Sequence, residues 1–155
     1  MALATTLDST LLAIPARQSG QVQLVHLPPL SHDPPLPPPP SHDPLATPYA
    51  SISIIVAHSS PLAALATTES GSLVATASSK GTLVRIWDVT SAGGVGVLLR
   101  ELRRGTDSAI IFGISLRADG GRVAVSSDKG TVHVWHLNSK EDEKRRGADK
   151  DTTSE

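Results

Sequence analysis

The chain has 155 residues, of which 3% are aromatic, and its 14 basic and 15 acidic side chains give a formal net charge of -1. This balance gives no support to a nucleic-acid-binding or membrane-coating protein, so any anion binding must be local. The absence of cysteine excludes disulfide frameworks, thiol catalysis and the usual zinc sites, and it fits a reducing compartment.

The first predicted elements are two short strands, at residues 11–14 and 21–27. Polar and apolar side chains alternate from Gln21 to Leu24 after a turn at Gly20, which is typical of a half-buried strand, and the two strands could form one hairpin. The start of the chain is mildly apolar but has no basic region, so we expect no signal peptide. No apolar run approaches the roughly 18 residues needed to span a bilayer.

A proline-rich segment follows. Ten of the twelve prolines lie between Pro28 and Pro48, and Ser-His-Asp-Pro occurs twice, at residues 31–34 and 41–44. Because proline donates no backbone hydrogen bond and favours extended neighbours, we predict a polyproline-like surface loop over residues 28–50. The loop is either a ligand for a proline-binding module or a tolerated insertion. Its two His-Asp pairs lack the fixed surroundings that a metal or catalytic site needs, so we predict no metal site there.

Residues 51–137 contain an internal repeat. Lys-Gly-Thr begins at Lys80 and again at Lys129, 49 residues later, and each copy lies between two strand patterns. Further strands are predicted upstream at residues 61–66 and 110–116, and each unit therefore has three strands joined by turns. This period, with Trp87 in an Ile-Trp-Asp sequence at the end of the first unit, is typical of WD-repeat β-propeller blades. Three small residues are expected where neighbouring blades approach: Ala75, Ala77 and Ala124.

We therefore predict an all-β fold, an incomplete WD-repeat β-propeller of about two to two and a half blades. Residues 1–27 would form a partial blade, residues 51–137 two blades, and residues 138–155 a charged, disordered tail. A closed propeller needs about four to eight blades, and each blade buries its faces only against neighbours, so two apolar faces should be exposed. Either the chain is a fragment or another chain completes the ring.

Between the two repeats lies the sequence Leu102-Arg103-Arg104-Gly105. Adjacent residues of a strand point to opposite sides, so the two arginines could serve two separate anionic pockets. The planar guanidinium pairs bidentately with phosphate, and residues 80–104 contain five basic and two acidic side chains. The plainer alternative is that the arginines are solvated or paired with carboxylates such as Glu101 or Asp107.

These motifs resemble the PROPPIN family, seven-bladed propellers that bind polyphosphoinositides. The resemblance covers about residues 11–27 and 51–137, and it is closest to the fungal subgroup called homologous with swollen vacuole phenotype. Residues 14–24 and 53–58 are similar to the preceding blade of that family. The family motif is Phe-Arg-Arg-Gly, and Leu102 replaces its first position with another apolar anchor.

The resemblance implies two headgroup pockets, assigned by position. The first would contain five residues: Arg103, His58, Ser78, Thr82 and Arg85. The second would contain another five: Arg104, Thr106, Ser127, Thr131 and His133. Lys80 and Lys129 lie beside these hydroxyls and either assist or are solvated turn residues, and each histidine is alternatively a hydrogen-bonded blade residue. The resemblance implies no catalytic residue and no cofactor.

The resemblance also implies a function, that of a phosphoinositide-binding peripheral membrane protein. Its ligands would be phosphatidylinositol 3-phosphate and the 3,5-bisphosphate, and its processes autophagy, including micronucleophagy, and vacuolar membrane traffic. We expect a cytoplasmic protein, peripheral on vacuolar, endosomal or pre-autophagosomal membranes, with autophagy proteins as partners and no nucleic acid. The alternatives are a generic WD-repeat scaffold for protein interactions or a nonfunctional fragment. An enzyme is not expected, because no nucleophile motif or glycine-rich phosphate loop is present.

In the family, the segment after residue 137 begins a long loop that helps insertion into the bilayer. Residues 138–155 here are rich in charge and have no apolar face. Membrane insertion by this segment is therefore not predicted from its composition.

Overall fold

The computed structural model describes residues 1–6, 10–27, 51–90 and 95–137, and the regular elements within them are all β-strands. The strands are β1 (Ala2–Leu3), β2 (Leu11–Pro15), β3 (Gln21–His26), β4 (Ser51–Val56), β5 (Leu62–Thr67), β6 (Leu73–Ser78), β7 (Leu83–Asp88), β8 (Val97–Arg103), β9 (Ile111–Leu116), β10 (Arg122–Ser127) and β11 (Val132–His136). They form three antiparallel sheets, which confirms the all-β prediction. No helix in the described part of the chain has the length and hydropathy needed to cross a membrane.

The first sheet has the strand order β1-β2-β3-β4. The expected hairpin is present, with Ile14 of β2 opposite Gln23 of β3. On the other side of β3, Ile55 of β4 lies opposite Val22. Residues 51–56, which we grouped with the later blades, therefore complete the first sheet, as the similarity of residues 53–58 to a preceding blade implied. The described residues thus contain slightly more than two and a half blades, while the proline-rich loop and the charged tail lie outside them.

The second and third sheets correspond to the internal repeat. The second has the order β5-β6-β7-β8, and in the third the central strand β10 pairs with β9 and β11. Val74 lies opposite Trp87 in the second sheet, and Val123 lies opposite Trp135 in the third. The sequence places the double arginine on a strand but does not predict the extent of that strand, β8. A register shift between Ile86 and Trp87 interrupts its pairing, so its apolar residues do not follow a simple alternation.

Apolar side chains between the sheets form two core clusters. The first lies between the first and second sheets and includes Leu11, Val22, Leu24, Ile55, Val74 and Trp87. The second lies between the second and third sheets and includes Ala75, Ala77, Val84, Ile86, Ile111, Val123 and Val125. Ala75 and Ala77 are fully buried, as expected of contact points between blades. Ala124 is only half-buried, because it alternates with two core valines and lies on the opposite face of its sheet.

Tight glycine turns fasten the first and second sheets to the segments that lead into the next sheet. Gly20 has φ 76° and Gly81 has φ 64°, values that an L side chain rarely adopts. A Cβ atom at Gly20 would lie 1.9 Å from the carbonyl oxygen of His58, and one at Gly81 would lie 1.9 Å from that of Ala109. Both turns therefore need glycine for close backbone packing as well as for their φ angles.

The two outer faces of the described assembly carry exposed apolar side chains, as expected for blades without neighbours. On the first sheet, Ile52, Ile54 and Val56 are 54–70% exposed, and on the third sheet Phe112, Val132 and Val134 are 56–69% exposed. Within each sheet, side chains on the opposite face form the buried clusters. Each outer face thus has the apolar character of an interface between blades.

Candidate anion-binding site at the sheet junctions

Strand β8 directs the two adjacent arginines to different sheet junctions. Arg103 is its last residue and lies opposite Leu83, and the backbone N–H of Arg104 donates to Thr82 O at 2.9 Å. Since side chains alternate along a strand, Arg103 shares a face with Glu101. The Arg104 guanidinium donates instead to the carbonyl oxygen of Gly81, in the β6–β7 turn, and to that of Asp107, in the segment that leads to the third sheet. The side chains of Arg103 and Arg104 therefore point in different directions, as two separate pockets require.

In the first candidate pocket, each nitrogen of the Arg85 guanidinium has a partner within the chain. Its Nε donates to Glu101 Oε2 at 2.8 Å, its Nη2 lies 2.7 Å from the same oxygen, and its Nη1 donates to Ala57 O at 2.5 Å. Arg103 is exposed, and within the described part of the chain its guanidinium has no hydrogen-bond or ion-pair partner. The first pocket thus combines an unpaired guanidinium with one that is held by a carboxylate.

His58 belongs to a buried hydrogen-bond network. Its Nε2 lies 2.9 Å from Thr76 Oγ1, and the same hydroxyl oxygen accepts a hydrogen bond from Trp87 Nε1 at 3.1 Å. Burial, followed by the positive charge of Arg85, lowers the pKa of His58 below its ordinary value of 6.5. The ring is therefore neutral near pH 7 and contributes no positive charge to the pocket. His58 therefore has the second of the two roles considered from sequence, that of a hydrogen-bonded residue within a blade.

The β6–β7 turn places the remaining predicted residues of the first pocket. Ser78 is 5% exposed at the end of β6, and its carbonyl oxygen accepts a hydrogen bond from Gly81 N at 2.9 Å. Thr82 is half-buried just before β7, whereas Lys80 is exposed at the tip of the turn. The turn thus brings one buried and one accessible hydroxyl to the end of the strands that carry Arg85 and Arg103.

The second candidate pocket is less tightly organised. Ser127 is 4% exposed, and its hydroxyl finds no hydrogen-bond partner among the described residues. Thr131 Oγ1 lies 3.4 Å from His133 Nε2, and the His133 ring stacks on Trp135 with centroids 5.6 Å apart. Thr106 is exposed in the segment after β8. The buried Ser127 hydroxyl is the polar group of this junction most in need of a partner.

The repeat register explains the difference between the two junctions. Arg85 lies opposite Thr76 in the second sheet, whereas His133 lies opposite Val125 at the corresponding positions of the third. In the second sheet the Thr76 hydroxyl bonds to Trp87 and His58. The third sheet has Val125 at that position, so it cannot form an equivalent network around Trp135. Its tryptophan, Trp135, is only half-buried. The first junction is therefore the more rigidly built of the two.

Four residues of the site were missed, only partly predicted or left open by the sequence. Thr76 lies between two alanines in an apolar strand, and nothing local marks it as the centre of a network. Glu101 was considered as a partner of the double arginine, but it pairs with Arg85. Asp107 contacts Arg104 through its backbone carbonyl oxygen rather than its carboxylate. Lys129 Nζ lies 4.0 Å from Asp128 Oδ2, and the Lys129 side chain is 51% exposed. This arrangement fits a solvated turn residue.

A comparison with known proteins identifies the family of the chain. A family model described as PROPPIN matches residues 46–153, which include both junction segments from His58 to His133. The chain belongs to the PROPPIN family. The family's apolar anchor before the arginines is kept in this member, because Leu102 is half-buried and packs against the second core cluster.

Relatives and solved structures agree with this assignment. The chain is 40% identical over 131 residues to SVP1-like protein 2 of Emericella nidulans, covering 84% of this chain and 34% of that protein. It is 45% identical over 86 residues to Autophagy-related protein 18e of Arabidopsis thaliana, covering 56% of this chain and 22% of that protein. The structure of Kluyveromyces lactis Hsv2 matches with a TM-score of 0.65 and 28% identity, covering 88% of this chain and 37% of that chain.

The resemblance to the fungal PROPPINs and the prediction of an incomplete β-propeller are therefore confirmed. This PROPPIN chain spans about a third of the length of SVP1-like protein 2 and of the Hsv2 structure, at 34% and 37%. Its three sheets have the fold of a family of β-propeller binding proteins.

Proposed function

We propose that this chain binds phosphoinositide headgroups at its two sheet junctions and so attaches to membranes as a peripheral protein. The ligands are phosphatidylinositol 3-phosphate and phosphatidylinositol 3,5-bisphosphate. The processes are autophagy, including micronucleophagy, and vacuolar membrane traffic. The proposed location is the cytoplasm and the vacuolar, endosomal or pre-autophagosomal membrane surface, where autophagy proteins are the proposed partners.

The observation that carries this proposal is the placement of Arg103. Its guanidinium is exposed and lacks a protein partner within the described residues. A guanidinium donates two parallel hydrogen bonds to a phosphate, and nearby hydroxyls such as Thr82 and Ser78 can donate to the remaining oxygens. An unpaired arginine beside such donors supports recognition of an anion with several oxygens.

The second support is the presence of two junctions on one strand. Arg103 ends β8 and Arg104 follows it, and strand alternation turns their side chains to opposite faces, so two headgroups of one membrane can be bound at the same time. Once the first headgroup is bound, the second encounter is effectively intramolecular, and avidity rises by orders of magnitude over either pocket alone. Two individually weak pockets are therefore sufficient for membrane recruitment.

The experiment is flotation of the purified chain with liposomes that contain or lack phosphatidylinositol 3-phosphate. The test variant carries Arg103→Thr and Arg104→Thr together. The matched control is Arg122→Thr. Arg122 is an exposed arginine at the start of β10, whereas Ser127 of the second candidate pocket lies at the other end of that strand. Circular dichroism shows whether each variant keeps the β-sheet content of the unaltered chain.

We expect the unaltered chain and the Arg122→Thr variant to float only with the phosphoinositide, and the double variant to stay in the dense fraction. Equal flotation of all three proteins on both liposomes would contradict headgroup recognition. That result would favour a scaffold whose partners are proteins.

A further inference from the structure

The carboxylate of Glu101 is the anion that pairs with Arg85, one of the two arginines assigned to the first candidate pocket. Its Oε2 accepts a hydrogen bond from Arg85 Nε at 2.8 Å and forms an ion pair with Arg85 Nη2 at 2.7 Å. The third guanidinium nitrogen, Nη1, donates to Ala57 O. The Nε–Nη2 edge of Arg85, which is the edge that would pair bidentately with a phosphate, is therefore occupied by the carboxylate. A phosphate that is to pair with this edge must first displace Glu101.

Glu101 also lies on the same face of β8 as Arg103, two residues away along the strand. Its negative charge therefore faces the same junction that the unpaired guanidinium serves. The Glu101 side chain is 44% exposed and that of Arg85 is 26% exposed, so the pair is accessible and its net stabilisation is small. Such a pair is strong enough to order Arg85 and weak enough for a dianionic ligand to exchange with the carboxylate.

We propose that Glu101 is an internal counter-anion of the first pocket, which holds Arg85 in the ligand-free chain and lowers the affinity for phosphate until it is displaced. This inference rests on the proposed function, and it adds a device that sets the affinity of one pocket. Among the described residues the second junction has no equivalent ion pair, because His133 stands at the position that corresponds to Arg85. The two pockets therefore differ in how they respond to ligand.

The test is a titration of the chain with vesicles of phosphatidylcholine that contain phosphatidylinositol 3-phosphate. Glu101→Gln removes the charge but keeps the shape, and we expect affinity to rise roughly two- to fivefold, the size of one exposed ion pair that no longer has to be broken. The matched control is Glu101→Asp, which keeps the charge and should bind close to the unaltered chain. A decrease or no change with Glu101→Gln would overturn the proposal.

A double-mutant cycle separates competition from a merely structural role. With Glu101 present, Arg85→Gln should weaken binding only slightly, because the gain from Arg85 is offset by loss of its carboxylate partner. In the Glu101→Gln background, the same Arg85→Gln change should remove the whole gain. Equal effects of Arg85→Gln in both backgrounds would overturn the proposal.

The proposed function is judged separately in the same titration by Arg103→Gln. Binding that is lost with Arg103→Gln and unchanged with Glu101→Gln would leave the headgroup site standing and reject the counter-anion. Absence of binding by every variant, including Glu101→Gln, would reject both.

Discussion

Trp87 and Thr76 are joined by a buried hydrogen bond, in which the indole Nε1 donates to the threonine hydroxyl oxygen at 3.1 Å. The same hydroxyl lies 2.9 Å from His58 Nε2, so one threonine side chain serves partners from β7 and from the segment before β5. All three residues are less than 9% exposed. This contact links the core of the second sheet to the segment that enters it from the first.

Replacing Thr76 by valine should lower the free energy of unfolding by about 1–3 kcal/mol, because the indole N–H and the imidazole would be left buried without a partner. Urea unfolding followed by tryptophan fluorescence measures this. The control is Thr76→Val combined with Trp87→Phe, which removes donor and acceptor together and should lose less than the sum of the single changes. A double variant whose loss equals that sum would show that the bond contributes nothing.

The pH dependence of stability should carry a contribution from His58. Its pKa in the folded chain lies below 6.5 because of burial and the nearby Arg85 charge. The unfolded chain therefore takes up the proton first, so stability should fall as pH decreases below about 6.5. His58→Gln should reduce this loss, as measured by urea midpoints at about pH 7.5 and about pH 5.5. An identical pH dependence in both proteins would contradict the assignment.

Gly81 and Gly130 form a matched pair for testing the turn that positions the pockets. Both have positive φ, at 64° and 68°, but a Cβ atom at Gly81 would lie 1.9 Å from Ala109 O, whereas at Gly130 nothing lies within 4 Å. Gly130→Ala should cost about 1–2 kcal/mol from backbone strain alone. Gly81→Ala should cost clearly more, because the segment after Arg104 must also move. Thermal or urea unfolding measures the loss of stability in each variant. Equal losses in the two variants would contradict the close packing at Gly81.

The adjacent arginines should differ in their effect on folding. Arg104 joins the β6–β7 turn to the segment before β9 through the carbonyl oxygens of Gly81 and Asp107, while Arg103 is exposed and unpaired within the described residues. Arg104→Gln should therefore lower the unfolding free energy by about 1 kcal/mol or more. Arg103→Gln should leave it within about 0.5 kcal/mol. Equal destabilisation in urea titrations would contradict these separate roles.

Much of the fold could be predicted because its signals are local. The Lys-Gly-Thr turns and the period of 49 residues marked the second and third sheets, and Gly20 marked the first hairpin. The pairing of β4 with β3 could not be predicted in the same way, since the two strands are separated by the proline-rich loop. The extent of β8 before its arginines was hidden by the register shift beside Trp87.

The candidate site was predictable in composition but not in its pairing. The double arginine and the turn hydroxyls follow from sequence motifs, and strand alternation alone sends Arg103 and Arg104 to opposite sides. The ion pair of Arg85 with Glu101 depends on the register of β7 and β8, which the sequence does not display. The network around Thr76 likewise depends on three segments that meet only after folding.

The central claim is that Arg103 and Arg104 bind separate phosphate-bearing headgroups. It is tested most directly by following the arginine Nε–Hε resonances of the isotope-labelled chain during titration with soluble inositol 1,3-bisphosphate. The account predicts saturable shifts of the Arg103 and Arg104 signals, while the Arg122 signal stays in place. Signals of Arg103 and Arg104 that do not move, or that move no more than that of Arg122, would contradict it.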